Sequence, residues 1–310
     1  GKVVAVTGCS TGTGLVCARD CAKLGAHVVL LNRPSPRAEE ALRAIQAAAP
    51  KAKVTDVPCD LTSFASVRAA GTRLRKELAS SGLDVLCCNA GVMALTDFAT
   101  EDGCDVQMQT NHLSHFLLAS ELWPLLDKAA KAKGDARLVS HSSMARLGAP
   151  LDRTYLGKNG GNLGGDAGGM MPFSGPRWER YHQTKLANLV FTLAVRDRAA
   201  RAGSKVKAIC AHPGVAATNL QVTSVAQGSM SSGLADMVVS QSAEDGTMGI
   251  MMGCCSPDAK SGDFFGPLGM GMYGKAELMP AEPEEKLADE ASRNMLWEES
   301  EKTIGIKFVI

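Results

Sequence analysis

Two stretches of this chain hold residues whose types and spacing could do chemistry. Tyr181 and Lys185 stand four positions apart in "ERYHQTKLANLVF", which on a helix brings a phenol and an ammonium to one face. That spacing fits a catalytic pair and equally fits an ordinary amphipathic helix, and the pattern alone does not separate the two. "TGCSTGTG", from Thr7 to Gly14, is more specific. Gly8, Gly12 and Gly14 permit a tight turn, a close backbone approach to a phosphate, and close helix–strand packing. With Ser10, Thr11 and Thr13 among them, they open a helix whose free N–H groups and dipole suit a pyrophosphate.

A third stretch decides which nucleotide. "LNRP" closes the second β-branched run. A carboxylate there would accept hydrogen bonds from the ribose hydroxyls of NAD, but the chain has Asn32 and Arg33. An arginine can pair with a 2′-phosphate through charge-assisted bonds, so the expected cofactor is NADP(H).

These residues need elements to position them. Short apolar runs at Lys2–Thr7, His27–Leu31, Lys53–Pro58, Asp84–Cys88, Ala136–His141 and Lys205–Ala211 read as strands. Helical patterns fill Gly14–Leu24, Arg37–Ala48, Ser63–Ala79, Asp105–Lys128 and Trp178–Ala200. Continuous apolar strands alternating with helices imply an α/β fold with a parallel sheet covered on both faces. Right-handed crossovers then give a single doubly wound domain over residues 1–310. Two segments break the rhythm: a Gly-rich insert at about 156–177, expected as an exposed loop, and a Ser-, Gly- and Met-rich region at about 219–237 ahead of a further helical stretch.

Composition narrows the classes. At 45% hydrophobic the chain can bury a sizeable core, and a net charge of +1 with 5% aromatics argues against a nucleic-acid or anionic-membrane partner. No apolar run reaches the roughly 20 residues of a membrane span. The ten cysteines sit largely in apolar runs and read as reduced core thiols of an intracellular reducing compartment. Cys254 and Cys255 lack partners at metal-ligand spacing, so no metal site is expected. "GKVVAVTG" enters a strand directly, as in a chain trimmed of an upstream targeting segment, and the organelle stays open.

"TGxxxGxG" at Thr7, "CNAG" at Cys88, "NHLSHF" at Asn111, "SHSS" at Ser140, "YHQTK" at Tyr181 and "HPG" at His212 occur in that order. Together they resemble the short-chain dehydrogenase/reductase family, whose fold is the doubly wound Rossmann sheet. "NHLSHF", "TKLAN" and the tail "LWEESEKTIGIKF" are similar to its retinol-dehydrogenase-like and protochlorophyllide-reductase-like branch. The resemblance implies that Tyr181 gives or takes the proton at a carbonyl oxygen. Lys185 would lower the Tyr181 pKa and bind the nicotinamide ribose. Ser143, rather than its neighbour Ser142, would hydrogen-bond the substrate oxygen. Asn111 would hold a kinked helix and a proton-relaying water. It also implies adenine contacts at Asp60 and Leu61, and adenosine and ribose contacts at Asn89, Ala90 and Gly91. Pro213, Gly214 and Val215 would wrap the nicotinamide, and Thr218 would reach its amide or the pyrophosphate.

Tyr155 and Lys158 are three apart, with Gly157 and Gly160 beside them, and read as a decoy. His112, His115 and His212 read as packed histidines. Met170, Met171, Met230, Met237, Met270 and Met272 suggest an adaptable wall for a bulky apolar carbonyl or alcohol. The expected activity is NADPH-dependent carbonyl reduction, or the reverse oxidation, of an isoprenoid- or retinoid-like substrate. A double-bond reductase of the protochlorophyllide-reductase type and a catalytically silent NADP-binding sensor are the alternatives. A homodimer is left open.

Overall fold

Eight strands form one sheet in the order β3-β2-β1-β4-β5-β6-β7-β8. The computed structural model describes residues 1–161, 163–166, 173–216, 241–269, 271–280 and 284–310. β1 (Val3–Thr7), β2 (His27–Asn32), β3 (Val54–Pro58), β4 (Val85–Cys88), β5 (Ala136–His141), β6 (Val206–Ala211) and β7 (Phe264–Gly269) run parallel. β8 (Tyr273–Leu278) returns antiparallel at the edge. This is the expected doubly wound sheet, with one antiparallel edge strand in addition. β7 and β8 have no clear signal in sequence, because "FFGPLG" carries two glycines and a proline where a strand would show β-branched residues.

The helices follow local chemistry. α1 (Gly12–Lys23) opens on the Gly-rich turn. α2 (Pro36–Ala48) starts at Ser35, whose hydroxyl accepts from the Ala38 amide, with Pro36 in the first turn. α3 (Phe64–Glu77) is capped by Ser63 in the same way. The long helix expected from Asp105 is in three parts: α4 (Val106–Met108), a π-helical turn at Gln109–Leu113, and α5 (Ser114–Lys133). α6 (Pro176–Arg201) carries the Tyr–Lys pair, α7 (Ala243–Cys255) precedes β7, and α8 (Glu290–Ile304) lies near the end of the chain.

Two cores sandwich the sheet. One side packs α3, α5, α6 and α8 over Leu86, Cys88 and Leu138. There the Phe116 ring lies 5.3 Å from Phe191, 5.0 Å from Trp297 and 5.3 Å from Phe308, so the C-terminal segment completes this core. Aromatic pairs at such spacing add about 0.5–1.5 kcal/mol each beyond area burial. The other side packs α1, α2 and α7 over Val6, Val28, Cys87 and Val139. Cys87 and Cys88 face opposite cores because successive strand residues alternate.

Candidate active site

The strand order reverses between β1 and β4, which opens a crevice at their carboxyl ends. The Gly-rich turn sits there. Gly8 and Gly12 have φ of 68° and 56°, a region where a side chain is strained. A Cβ on Gly14 would lie 2.2 Å from the Gly8 carbonyl and 2.4 Å from Asn89 Nδ2. Thr11 caps α1 with extended backbone and no side-chain cap bond, which leaves the first-turn N–H groups facing the crevice.

Asn32 is buried, and its Oδ1 accepts from the Cys9 amide at 2.7 Å. It braces the turn, while its Nδ2 has no partner among the described residues. Arg33, one residue on, is exposed, as is Arg37 on α2. Asp60 folds its carboxylate back onto Thr62, accepting from the amide at 2.9 Å and the hydroxyl at 2.7 Å. Leu61 is buried and its carbonyl accepts from the Ser114 hydroxyl at 2.7 Å, which fixes the backbone there.

Asn89 joins three elements. Its Oδ1 accepts from Thr13 at 2.9 Å and from His141 Nδ1 at 3.0 Å, and its Nδ2 donates to the Thr7 carbonyl at 2.9 Å. Ala90 follows, its amide donating to Thr7 Oγ1 at 3.0 Å. Thr7 Oγ1 lies 2.9 Å from His115 Nε2, and His115 Nδ1 lies 3.0 Å from the Asn111 carbonyl. A carbonyl only accepts, so Nδ1 carries the proton and Thr7 donates to Nε2. This chain ties the Gly-rich turn to the π turn. Thr7, His115 and His141 have no signal in sequence, because their roles come entirely from contacts across the fold.

The four expected catalytic positions lie together. Asn111 sits in the π turn, buried. Its Oδ1 accepts from the Val92 amide at 2.7 Å, and its Nδ2 donates to the Val92 carbonyl and to Thr184 Oγ1, each at 2.9 Å. Thr184 Oγ1 in turn donates a hydrogen bond to the Tyr181 carbonyl at 2.8 Å. A Cβ on Gly91 would lie 3.3 Å from Asn111 Oδ1 and 3.4 Å from Lys185 Nζ, so this glycine touches both. Lys185 Nζ donates to the His141 carbonyl at 3.2 Å and stands 5.7 Å from the Tyr181 ring centre.

Ser143 is half-buried, its hydroxyl accepts from the Ala145 amide at 3.2 Å, and it stands near enough to the Tyr181 phenol to pull that group's pKa down. Its rival Ser142 is buried and donates to the Lys185 carbonyl at 2.7 Å, a fixing bond for α6. Tyr155 lies in a 3-10 turn at Arg153–Tyr155, packed against the core edge.

One expectation is corrected. Lys185 does not lower the Tyr181 pKa here: burial pushes the phenol up to about 12, and only the Ser143 hydroxyl opposes it. Burial also pushes Lys185 down to about 8. Both groups lie out of water, so desolvation outweighs their mutual effect.

Beyond the phenol, Trp178 packs edge-on to Tyr181 at 5.9 Å, and Phe173 of the insert packs edge-on to Trp178 at 4.9 Å. Arg180 is fully buried and pairs with Asp105 at 3.2 Å, Asp97 at 3.6 Å and Asp166 at 3.7 Å. Asp97 in turn accepts from the Leu163 and Gly165 amides. This hub, which pattern reading missed, straps the insert to α6.

Gly214 has φ of 64°. Its amide donates to His212 Nδ1 at 3.2 Å, and the Val215 amide donates to the Met272 carbonyl at 2.8 Å. The Pro213–Val215 segment is thus held against the turn between β7 and β8. Thr218, Met170, Met171, Met230, Met237 and Met270 lie outside the described residues. Met272 is partly exposed in the turn between β7 and β8.

A parallel sheet with a glycine-built turn at its switch point, and Ser143, Tyr181, Lys185 and Asn111 gathered beside it, gives the site its outline. The family model for short chain dehydrogenase matches residues 2–154, and the chain belongs to the short-chain dehydrogenase family. It is 32% identical to retinol dehydrogenase 14 of Mus musculus over 322 aligned positions, 99% of this chain and 86% of that protein. It is 34% identical to retinol dehydrogenase 13 of Homo sapiens over 71% of this chain and 60% of that protein. The chain thus spans about 60% of the length of several curated relatives it matches. A solved structure of an uncharacterised protein from Mycobacterium Paratuberculosis superposes with a TM-score of 0.74 at 28% identity, covering 100% of this chain and 95% of that one. The NADPH-bound carbonyl reductase from chicken fatty liver superposes with a TM-score of 0.61 at 21% identity, over 88% and 98%, which shows the fold.

Proposed function

We propose that this protein is an NADPH-dependent oxidoreductase that reduces a carbonyl, or reversibly oxidises the alcohol, of a bulky apolar substrate of retinoid-like chemistry. The observation that carries the reading is the convergence of Ser143, Tyr181, Lys185 and Asn111 beside the glycine turn.

The residues present fit a phosphorylated dinucleotide. Gly8, Gly12 and Gly14 with the uncapped start of α1 form an anion cradle, to which Ser10, Thr11 and Thr13 belong. Arg33 suits a 2′-phosphate, and the unpartnered Asn32 Nδ2 offers a donor beside it. Asp60, Leu61, Asn89, Ala90 and Gly91 would line the adenosine side, and Pro213, Gly214, Val215 and Thr218 the nicotinamide side. When bound, the nicotinamide supplies or accepts the hydride.

The side chains supply everything else. Ser143 hydrogen-bonds the substrate oxygen and orients it toward the phenol. Tyr181, protonated up to about pH 12, donates its proton to that oxygen during reduction. Lys185 places a positive charge near the phenol and the ribose. Asn111 holds the π turn open next to Lys185. Phe173 and Trp178 form an apolar wall that keeps water from the phenol and suits an extended apolar substrate.

The test is NADPH consumption by purified protein with retinoid, aliphatic and aromatic aldehydes and ketones, with Tyr181→Phe in parallel. Turnover should fall on the order of 100-fold or more in the variant, the scale of general acid catalysis, while NADPH affinity is kept. Equal turnover in the two proteins would sink the assignment of Tyr181. NADPH binding without turnover on any carbonyl would favour the sensor.

A further inference from the structure

We propose that Cys17, Cys87 and Cys254 form a three-coordinate thiolate site for a soft monovalent cation, copper(I), in the core beneath the cofactor turn. The three sulfurs come from α1, β4 and α7 and lie within 4.8 Å of one another. All three residues are buried, at 0%, 0% and 3% exposure. A trigonal site with metal–sulfur bonds of about 2.3 Å has sulfurs roughly 4 Å apart, so a small contraction closes the ring. A tetrahedral zinc site needs a fourth ligand, which the trio does not supply among the described residues, whereas soft thiolates in low coordination select copper(I).

Cys255 is exposed and follows Cys254 on α7, and Cys21 lies one helical turn from Cys17 on α1, so further thiols lie between the trio and the surface. The bound site carries net negative charge. Arg137, paired with Asp135 at 2.9 Å, braces α7 beside it, its Nη1 donating to the carbonyl of Gly253, the residue before Cys254, at 3.0 Å. Each thiol that binds as thiolate releases its proton to solvent, so affinity rises with pH. The residues lie far apart in sequence, and only the fold assembles them.

The experiment titrates reduced protein, under nitrogen, with copper(I) buffered by the coloured chelator bicinchoninate. Wild type should withdraw one equivalent of copper from the chelator, with a higher Tm after loading. Cys254→Ser should weaken binding at least 100-fold, and Cys17→Ala should do the same if the first variant folds poorly. Cys88→Ala, which faces the opposite core, and Cys255→Ser should both keep the one equivalent. The site is overturned if wild type takes no copper from the chelator, or if Cys254→Ser and Cys17→Ala hold it as wild type does. Loss of copper in Cys255→Ser alone would also overturn it, because binding would then belong to the surface thiols.

Discussion

Lys185 is the residue whose charge is most exposed to change. Burial brings it down to about 8, so its ammonium persists below that pH and is lost above it. If the positive charge serves the proposed reduction, the rate should fall as pH rises through about 8, while Tyr181 stays protonated throughout. A pH profile of kcat flat from 7 to 9.5 would contradict this. Asn32 and Arg33 divide the cofactor work differently from each other. In the proposed cofactor site Asn32 Oδ1 already holds the Cys9 amide, and Arg33 is the group proposed to supply the charge for a 2′-phosphate. Arg33→Glu should raise the KM for NADPH on the order of 10-fold or more while changing that for NADH little, because only the 2′-phosphate is lost as a partner. Equal effects on both cofactors would refute that division. The four candidate positions could be picked out because their motifs keep their order and spacing. The bracing roles of Thr7, His115 and His141 were not legible, because nothing in their sequence neighbourhood records a hydrogen bond to a distant segment.

At the scale of elements, the π turn and the Arg180 hub set the site's shape. β1 to β6 and most helices were legible from apolar runs and their alternation, whereas β7 and β8 were not. The break at Gln109–Leu113 was not, because it is fixed by Asn111 reaching Val92 on another segment. Arg180 lies on the helix that carries Tyr181, and it neutralises carboxylates at 1% and 6% exposure, Asp105 and Asp97. Removing one partner of a buried pair leaves an uncompensated charge and costs about 3–5 kcal/mol. Arg180→Met should therefore lower Tm on the order of 10 °C. Burial already raises Asp105 to about 6, so the deficit against wild type should narrow toward pH 5, where Asp105 takes up a proton. A variant with wild-type Tm at pH 8 would show that the hub contributes little.

The molecule as a whole carries four buried histidines that it keeps neutral. Burial holds His112, His141 and His212 down to about 3 and His115 to about 4, against an ordinary value of 6.5. Between those values and 6.5 the unfolded chain binds more protons than the folded one, so stability rises with pH across that window. It is complete above 6.5 and is lost as the pH drops, by about 1.4 kcal/mol per pH unit for each histidine. Urea midpoints at pH 7.5, 6 and 5 should fall steeply in that order, and unchanged midpoints would show that these imidazoles charge without unfolding. The thiol trio belongs to this scale too: Cys17, Cys87 and Cys254 are invisible as a set until the sheet brings them together. The Ala90–Thr7–His115–Asn111 chain, finally, makes one imidazole an internal reporter. Its tautomer is fixed by a neighbour at each end, so the nitrogen-15 resonances of His115 register the glycine turn through one ring atom and the π turn through the other. A nucleotide that tightens the first and a substrate that shifts the second would be read separately, from within the protein, without a label at either site.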